Sequence, residues 1–447
     1  MMKVEIISEE NIKPSSATPQ HLKIFKLCLL DHLIPAPFVP MVLYFPINDN
    51  GATKHVHVQE RLVLLKQSLS QTLTRFYPLA GIIKDDLCID CNDQGAYFAV
   101  AKVSYSLYQF LEHPNLQLIS SFLPCELGFT GSSSGVQATH IQVNTFECGG
   151  IAIALCISHK VLDGASLYTF LKAWSGIACE SEKVVNPDFV GSLLFPTDEL
   201  WLKDASMVMW GSLFKKGKCT TRRFVFDTSA IATLKTMTSG KIAVQHPTRV
   251  EAVSGFLWKC AMAASEKRFG ARRSSLLTHL VNLRKKFTPD LSDESIGNII
   301  WIASAKCKAK NDELGYWGLV DQVRKGVSEI NVEFVKSMMG DQGAAVMGKS
   351  MNDIGNFGSS EEGDHYGCTS WCNFGYYELD FGFGKPVWVS NVGLEGDVLM
   401  NFIILIDTRC GRGIEAWVTL DEPEMNLLVH DPDLLALASL DPSPVKF

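Results

Sequence analysis

The chain has no run of basic residues longer than the short pieces around Arg272 and Lys285, and acidic residues outnumber basic ones, 48 to 41, for a formal charge of -7. A nucleic-acid partner needs a concentrated positive face, so that class is excluded. No apolar run approaches the length of a membrane span. The opening "MMKVEIISEENI" puts acidic residues where a secretion signal needs an uninterrupted apolar segment. The expectation is a soluble, cytoplasmic protein, and in that compartment the 13 cysteines remain thiols. Internal repeats and low-complexity segments are absent. Cys88 and Cys91 form one CxxC, but no second pair stands at zinc spacing, and one pair is half a tetrahedral site. His55 and His57 of "KHVHV" lack nearby third ligands and read as surface or loop residues. No metal site is expected.

What is present is apolar residue in quantity, 47% of 447, enough for two or possibly three domains. Leu62, Leu65, Leu69, Leu73 and Phe76 recur at helical spacing over residues 59–76 until Pro78 and Gly81 stop the pattern. "THIQVNTFE" and "IAIALCIS" flank "CGG", which predicts a hairpin over 139–158 whose second strand is apolar on both faces and therefore central in its sheet. A helix follows, with Leu167, Phe170, Leu171, Trp174 and Ile177 at three- and four-residue steps. Residues 183–218 carry prolines and mixed charge with no sustained period, and read as a long crossover between an N-terminal half, 1–182, and a C-terminal half, 219–447. The second half opens with the strand "TRRFVFD", continues with a helix around "RVEAVSGFLWKCAMAASEKRF", and ends in strands such as "EAWVTL". Helices and strands mixed in both halves predict an α/β fold of two similar units.

The chemistry concentrates where the apolar strand ends. His159 leaves that strand, Asp163 follows four residues on, and Gly164 permits the turn into the helix. A histidine there can have one ring nitrogen fixed and the other turned to a cleft, as a general base requires. Asp163 can accept a hydrogen bond or pair with a cation. HxxxD alone is short and common, and a lone histidine is more often a structural one.

A second segment sharpens the reading. "HKVLDG" and "DFGFG", from Asp380 to Gly384, stand together with "FYPLAG", "DCNDQG", "FECGG", "PTRVEAVSGFLWK", "VNLRKKFTPDL", "SIGN" and "DTRCGRGIEAWV". Over essentially its whole length the chain resembles the plant BAHD acyltransferases, whose signatures are HxxxD and DFGWG. Those enzymes transfer acyl groups from coenzyme A thioesters to alcohols or amines. Phe383 replaces the usual tryptophan of the second signature, which keeps an aromatic and loses an indole N–H. The flavour is that of the branch around vinorine synthase and salutaridinol acetyltransferase, which acetylate alkaloid alcohols; the YFGNC motif of the anthocyanin malonyltransferase branch is absent.

The resemblance implies two chloramphenicol-acetyltransferase-like domains, each a mixed sheet with helices, and a tunnel in which a small-molecule alcohol and acyl-CoA meet at the histidine. It assigns catalysis to His159, Asp163 and Asp380, although Gly382 and Gly384 read as a tight loop that gives Asp380 a structural role. It makes Arg284 the partner of Asp163, places Thr369 and Trp371 at the reacting carbonyl, and offers Ser254 and Lys259 as coenzyme A contacts. Lys259 reads equally well as a solvated face residue. Acetyl-CoA is the favoured co-substrate, with no permanently bound cofactor, because residues 33–45 and 373–384 bring apolar and aromatic side chains. A malonyl carboxylate would need a basic partner, and no dedicated arginine stands near "HKVLDG". The acceptor is expected to be a bulky alkaloid or terpenoid alcohol, and the enzyme a monomer. Two alternatives stay open: a silent binder that keeps the tunnel, and a condensation-type amide-forming enzyme, whose signature has a second histidine where this chain has Ser158.

Overall fold

The computed structural model describes residues 2–34, 38–47, 54–84, 87–125, 135–197, 201–238, 246–309, 315–359, 363–393 and 398–446. Residues 35–37 of the apolar stretch 33–45 lie outside this set, as does the side chain of His55.

Two mixed sheets organise the chain. The first is built from β1 (Val4–Ile12), β2 (Phe38–Phe45), β3 (Ala96–Val103), β4 (Thr139–Phe146) and β5 (Ile151–Ser158). The expected hairpin is β4 and β5, antiparallel with Thr139 opposite Ile157. On its other side β5 pairs antiparallel with β2, Phe38 opposite Ser158. With a strand on each edge and cover on both faces, all eight residues of β5 are buried, which is why the sequence there is apolar without alternation. Helix α1 (Lys54–Arg75) lays Leu62, Leu65, Leu69 and Leu73 into the core, against α2 (Gly164–Ala178).

Residues 183–218 hold more regular structure than their text suggests. Helix α3 (Trp201–Leu213) buries Leu202, Ser206, Met209, Trp210 and Leu213, a stripe at steps of four, three, one and three. Exposed Trp201, Met207 and Val208 on the other face blur that period in the sequence.

The second sheet contains β6 (Cys219–Phe226), β7 (Ser274–Asn282), β8 (Ile300–Cys307) and β9 (Gly363–Ser370), then, after β10 (Trp388–Ser390), β11 (Phe402–Asp407), β12 (Ile414–Asp421) and β13 (Ser439–Leu440). Its order is β8-β7-β9-β11-β12-β6-β13. Helix α4 (Arg249–Phe269) covers it and starts in the "PTRVE" stretch with a capping box. Thr248 Oγ1 accepts from Glu251 N at 3.1 Å, and Thr248 N donates to Glu251 Oε2 at 2.8 Å.

Strand β10 crosses over. It lies between β9 and β11 in sequence, yet it pairs antiparallel with β2 and completes the first sheet in the order β1-β3-β4-β5-β2-β10. A chain cut at residue 218 therefore does not separate the sheets. Trp388 of β10 stacks on Tyr44 of β2 at 4.9 Å and on Trp417 of β12 at 6.0 Å, and its indole N–H donates to Glu415 Oε2 at 3.1 Å. Glu415 is itself buried with Arg223 at 2.8 Å, so a buried ion pair ties the two sheets together.

Candidate active site

Because β5 ends at Ser158, His159 stands at the point where the first sheet faces the second. Its Nδ1 lies 2.9 Å from Asn298 Oδ1. The amide's orientation follows from its other end: Asn298 Nδ2 donates to the backbone oxygen of His159 at 2.6 Å and to Asp31 Oδ1 at 2.9 Å, both acceptors. Oδ1 is therefore the end that faces the ring, and His159 Nδ1 carries the proton that it accepts. The proton sits on Nδ1, so Nε2 keeps a lone pair, and among the described residues it makes no hydrogen bond. Burial pulls the imidazole below the usual histidine pKa; Asp163 and the Asn298 contact oppose that shift, and Lys160 adds to it. The ring is a neutral base at neutral pH.

Asp163 caps α2, Oδ1 accepting from Ser166 N at 2.8 Å. Arg284, just past β7, closes on it with Nη1 to Oδ2 at 2.7 Å and Nη2 to Oδ1 at 3.1 Å, a bidentate pair buried on both sides. The guanidinium also donates to the backbone oxygens of Ser295 and Gly297 and to Ser166 Oγ, and Ile299 N donates to Asp163 Oδ2. The carboxylate is saturated by fixed donors. It holds the His159–Asp163 turn against the "SIGN" loop that carries Asn298.

A cavity of about 190 Å3 opens between the sheets at this point. His159 lines it with Thr369, Trp371, Phe38, Trp210 and Trp417, residues drawn from both halves and from the crossover helix α3. Asn391, Asn282, Thr221, Ser370 and Thr419 add polar groups to a wall that is mostly apolar.

A family model described as Transferase family matches residues 2–435. The chain is 45% identical to an epi-neemfruitin B 7-O-acetyltransferase of Melia azedarach, over 99% of this chain and 100% of that one. It is also 45% identical to a limonoid 7-O-acetyltransferase of Citrus sinensis, with the same coverage. The crystal structure of vinorine synthase superposes with a TM-score of 0.79 at 30% identity, covering 99% of this chain and 100% of that one. The chain belongs to the BAHD acyltransferase family. The resemblance carried by "HKVLDG" and "DFGFG" and the paired-domain α/β fold both hold.

Within this BAHD enzyme the sequence-based candidates fall into two groups. His159, Asp163, Thr369 and Trp371 meet at the cavity, and Arg284 stands behind them. Asp380 does not: its Oδ1 accepts from Gly382 N and Gly384 N, both at 2.9 Å, and its backbone oxygen accepts from Cys179 Sγ at 2.9 Å. Its carboxylate closes its own turn, away from the cavity. Gly382 (φ 85°) and Gly384 (φ 107°) need the left-handed region, and a Cβ at Gly382 would stand 3.3 Å from the Ala178 oxygen. Phe383 packs edge-on to Phe45 at 5.4 Å, with the Arg61 guanidinium 5.0 Å from its ring centre.

Ser254 and Lys259 stand apart from the cavity as well. Ser254 is buried within α4 with its hydroxyl 3.6 Å from Cys368 Sγ, and Lys259 pairs with Asp433 at 2.8 Å on the outer face. Neither lines the cavity. Cys88 and Cys91 are free thiols on and beside a short strand, and no cluster of metal-ligating side chains exists among the described residues. His57 lies 3.5 Å from Glu60 on α1. Sequence reasoning missed Asn298 and Asp31. "SIGN" singles out the stretch around Asn298, while nothing local marks Asp31.

Proposed function

We propose that the enzyme transfers an acetyl group from acetyl-CoA to a hydroxyl of a bulky, largely apolar alcohol of the limonoid class, with His159 as the general base. One observation carries this reading: a histidine whose Nδ1–H is fixed and whose Nε2 is unbonded stands in the wall of an apolar cavity shared by both sheets. Two 7-O-acetyltransferases of limonoid chemistry, each 45% identical over the full length, supply the acceptor class.

An alcohol is a weak nucleophile at neutral pH, so Nε2 removes its proton as the oxygen forms a bond to the thioester carbonyl carbon. The carbonyl electron pair moves to oxygen, and the tetrahedral oxyanion needs donors where the charge develops. Thr369 and Trp371 are the assigned donors from the cavity wall. Collapse of the intermediate breaks the carbon–sulfur bond. The coenzyme A thiolate leaves and takes the proton back from the imidazolium, so ester and thiol form with no covalent enzyme intermediate. Asp163 and Arg284 order the turn that carries His159. The donor is short because, among the described residues, the wall offers no dedicated cation for a second carboxylate: Arg284 is committed to Asp163. The enzyme works as a cytoplasmic monomer with no permanently bound cofactor, through two acyltransferase halves, 1–182 and 219–447, joined by 183–218. Size-exclusion chromatography reads the monomer.

The test is coenzyme A release with acetyl-, malonyl- and coumaroyl-CoA against a panel of limonoid and alkaloid alcohols. Acetyl-CoA with a limonoid hydroxyl is expected to be fastest. Preference for malonyl or an aromatic acyl group overturns the donor assignment, and tight binding of an alcohol with no turnover for any donor turns the reading to a silent binder.

A further inference from the structure

The general base has a second charged group behind it that no motif includes. Asp31 sits in a short helical turn, Leu29–His32, far in sequence from both signatures, and is buried at 2% exposure. Its Oδ1 accepts from Asn298 N at 3.0 Å and from Asn298 Nδ2 at 2.9 Å, and its Oδ2 accepts from Cys28 N at 2.8 Å. Three N–H donors converge on a carboxyl that can receive all three only through its oxygens, an arrangement that suits the ionised form. Burial holds its pKa above the usual carboxylate value, and the Asn298 and Cys28 hydrogen bonds oppose that rise.

We propose that Asp31 is a positioning residue for the transfer reaction, acting through Asn298 on His159. Its carboxylate fixes the Asn298 amide so that Oδ1 can only face His159 Nδ1–H, and it polarises that amide so that Oδ1 is a stronger acceptor. The consequence is a single ring tautomer with Nε2 unprotonated in the cavity and an imidazolium that is stabilised when the proton arrives. The chain of contacts is Asp31 Oδ1, Asn298 Nδ2, Asn298 Oδ1, His159 Nδ1, with steps of 2.9 Å at both ends. A buried carboxylate behind a neutral amide does at one remove what a carboxylate in direct contact does for a catalytic histidine. Here the direct position is closed, because Asp163 is committed to Arg284.

The other charged or titratable groups that act on this chain are few. Asp163 and Lys160 act on the imidazole with opposite sign, Arg284 is neutralised by Asp163, and the Cys28 thiol faces Asp31 and is pushed well up by burial and by that carboxylate. The negative charge of Asp31 favours the imidazolium, so its removal lowers the His159 pKa.

The inference rests on the reaction proposed above, and two readouts separate its failure from that one. The first is the pH profile of kcat/KM for Asp31→Asn and for Asn298→Ala, the latter keeping the backbone N–H of residue 298 for Asp31. Both variants are expected to lose about 10²-fold in kcat, to keep KM for the acyl-CoA within about twofold, and to move the acid limb to lower pH. The double variant is expected to be no worse than either single. A merely structural role leaves the acid limb of the folded variants in place and makes the losses additive, and either result overturns the proposal. The second readout needs no turnover. Nitrogen NMR of the histidine ring, assigned with His159→Gln, is expected to show the Nδ1–H tautomer in the wild type and a mixed population in Asn298→Ala and Asp31→Asn. An unchanged tautomer in Asn298→Ala overturns the relay even if Asp31→Asn does not fold or no acceptor is found.

Discussion

Two aspartates, one in each signature, meet opposite fates. Asp163 ends a turn between a buried strand and a helix, is 1% exposed, and is gripped by a bidentate arginine from the other half of the chain. Asp380 opens a tight turn, reaches two backbone N–H groups within its own five residues, and forms no ion pair among the described residues. The first signature is a long-range lock, with 121 residues between partners; the second is a local knot, with two to four. A motif residue that is spent on its own turn shapes a loop, whereas one spent on a distant element holds a site together.

The largest effect expected is on the base that the lock holds. His159→Ala should lower kcat by about 10²-fold or more while the protein folds and binds coenzyme A; near-wild-type turnover would sink the assignment. Asp163→Ala should come next, because it strands the buried Arg284 guanidinium at a cost of about 3–5 kcal/mol in stability. Thermal or denaturant unfolding checks it, and Arg284→Ala should match it in size. Asp380→Ala is the contrast. It removes two exposed-loop hydrogen bonds, at about 1 kcal/mol each, and should leave the pH profile untouched; a loss of turnover as deep as that of His159→Ala would erase the distinction. The smallest effect belongs to Phe383→Trp, which restores the familiar aromatic and should change stability by less than about 1 kcal/mol, since the Arg61 face contact survives.

A pH profile sharpens the same comparison. As the proposed base His159 acts in its neutral form, and burial places its pKa below the usual histidine value. kcat/KM should therefore hold through neutral pH and fall only as acid protonates the ring, with the midpoint below that of a free imidazole. Asp380→Asn should not move that midpoint, and Asp163→Asn should lower it, because the Asp163 charge favours the imidazolium.

Much of the site was legible without coordinates where its physics is local. The apolar run of β5, the glycine after Asp163 and the three- and four-residue steps of α2 predict strand, turn and helix, and all three are present. Helix α3 was missed because Trp201, Met207 and Val208 are apolar and exposed, which hides a regular buried stripe. Ser254 and Lys259 misled because a helical stretch does not say which face meets the cavity. Ser254 turned inward to Cys368 and Lys259 outward to Asp433.

By itself the sequence determined the strand, turn and helix around His159 and the family through its two signatures, since periodicity, capping and turn chemistry act over a few residues. Only the tertiary structure decided what orients that histidine. Asn298 is 139 residues from His159, and Asp31 is 267 residues from Asn298. A polar side chain supplied from a separate element obeys no local period, and its role exists only once burial has removed the water that would otherwise take its hydrogen bonds.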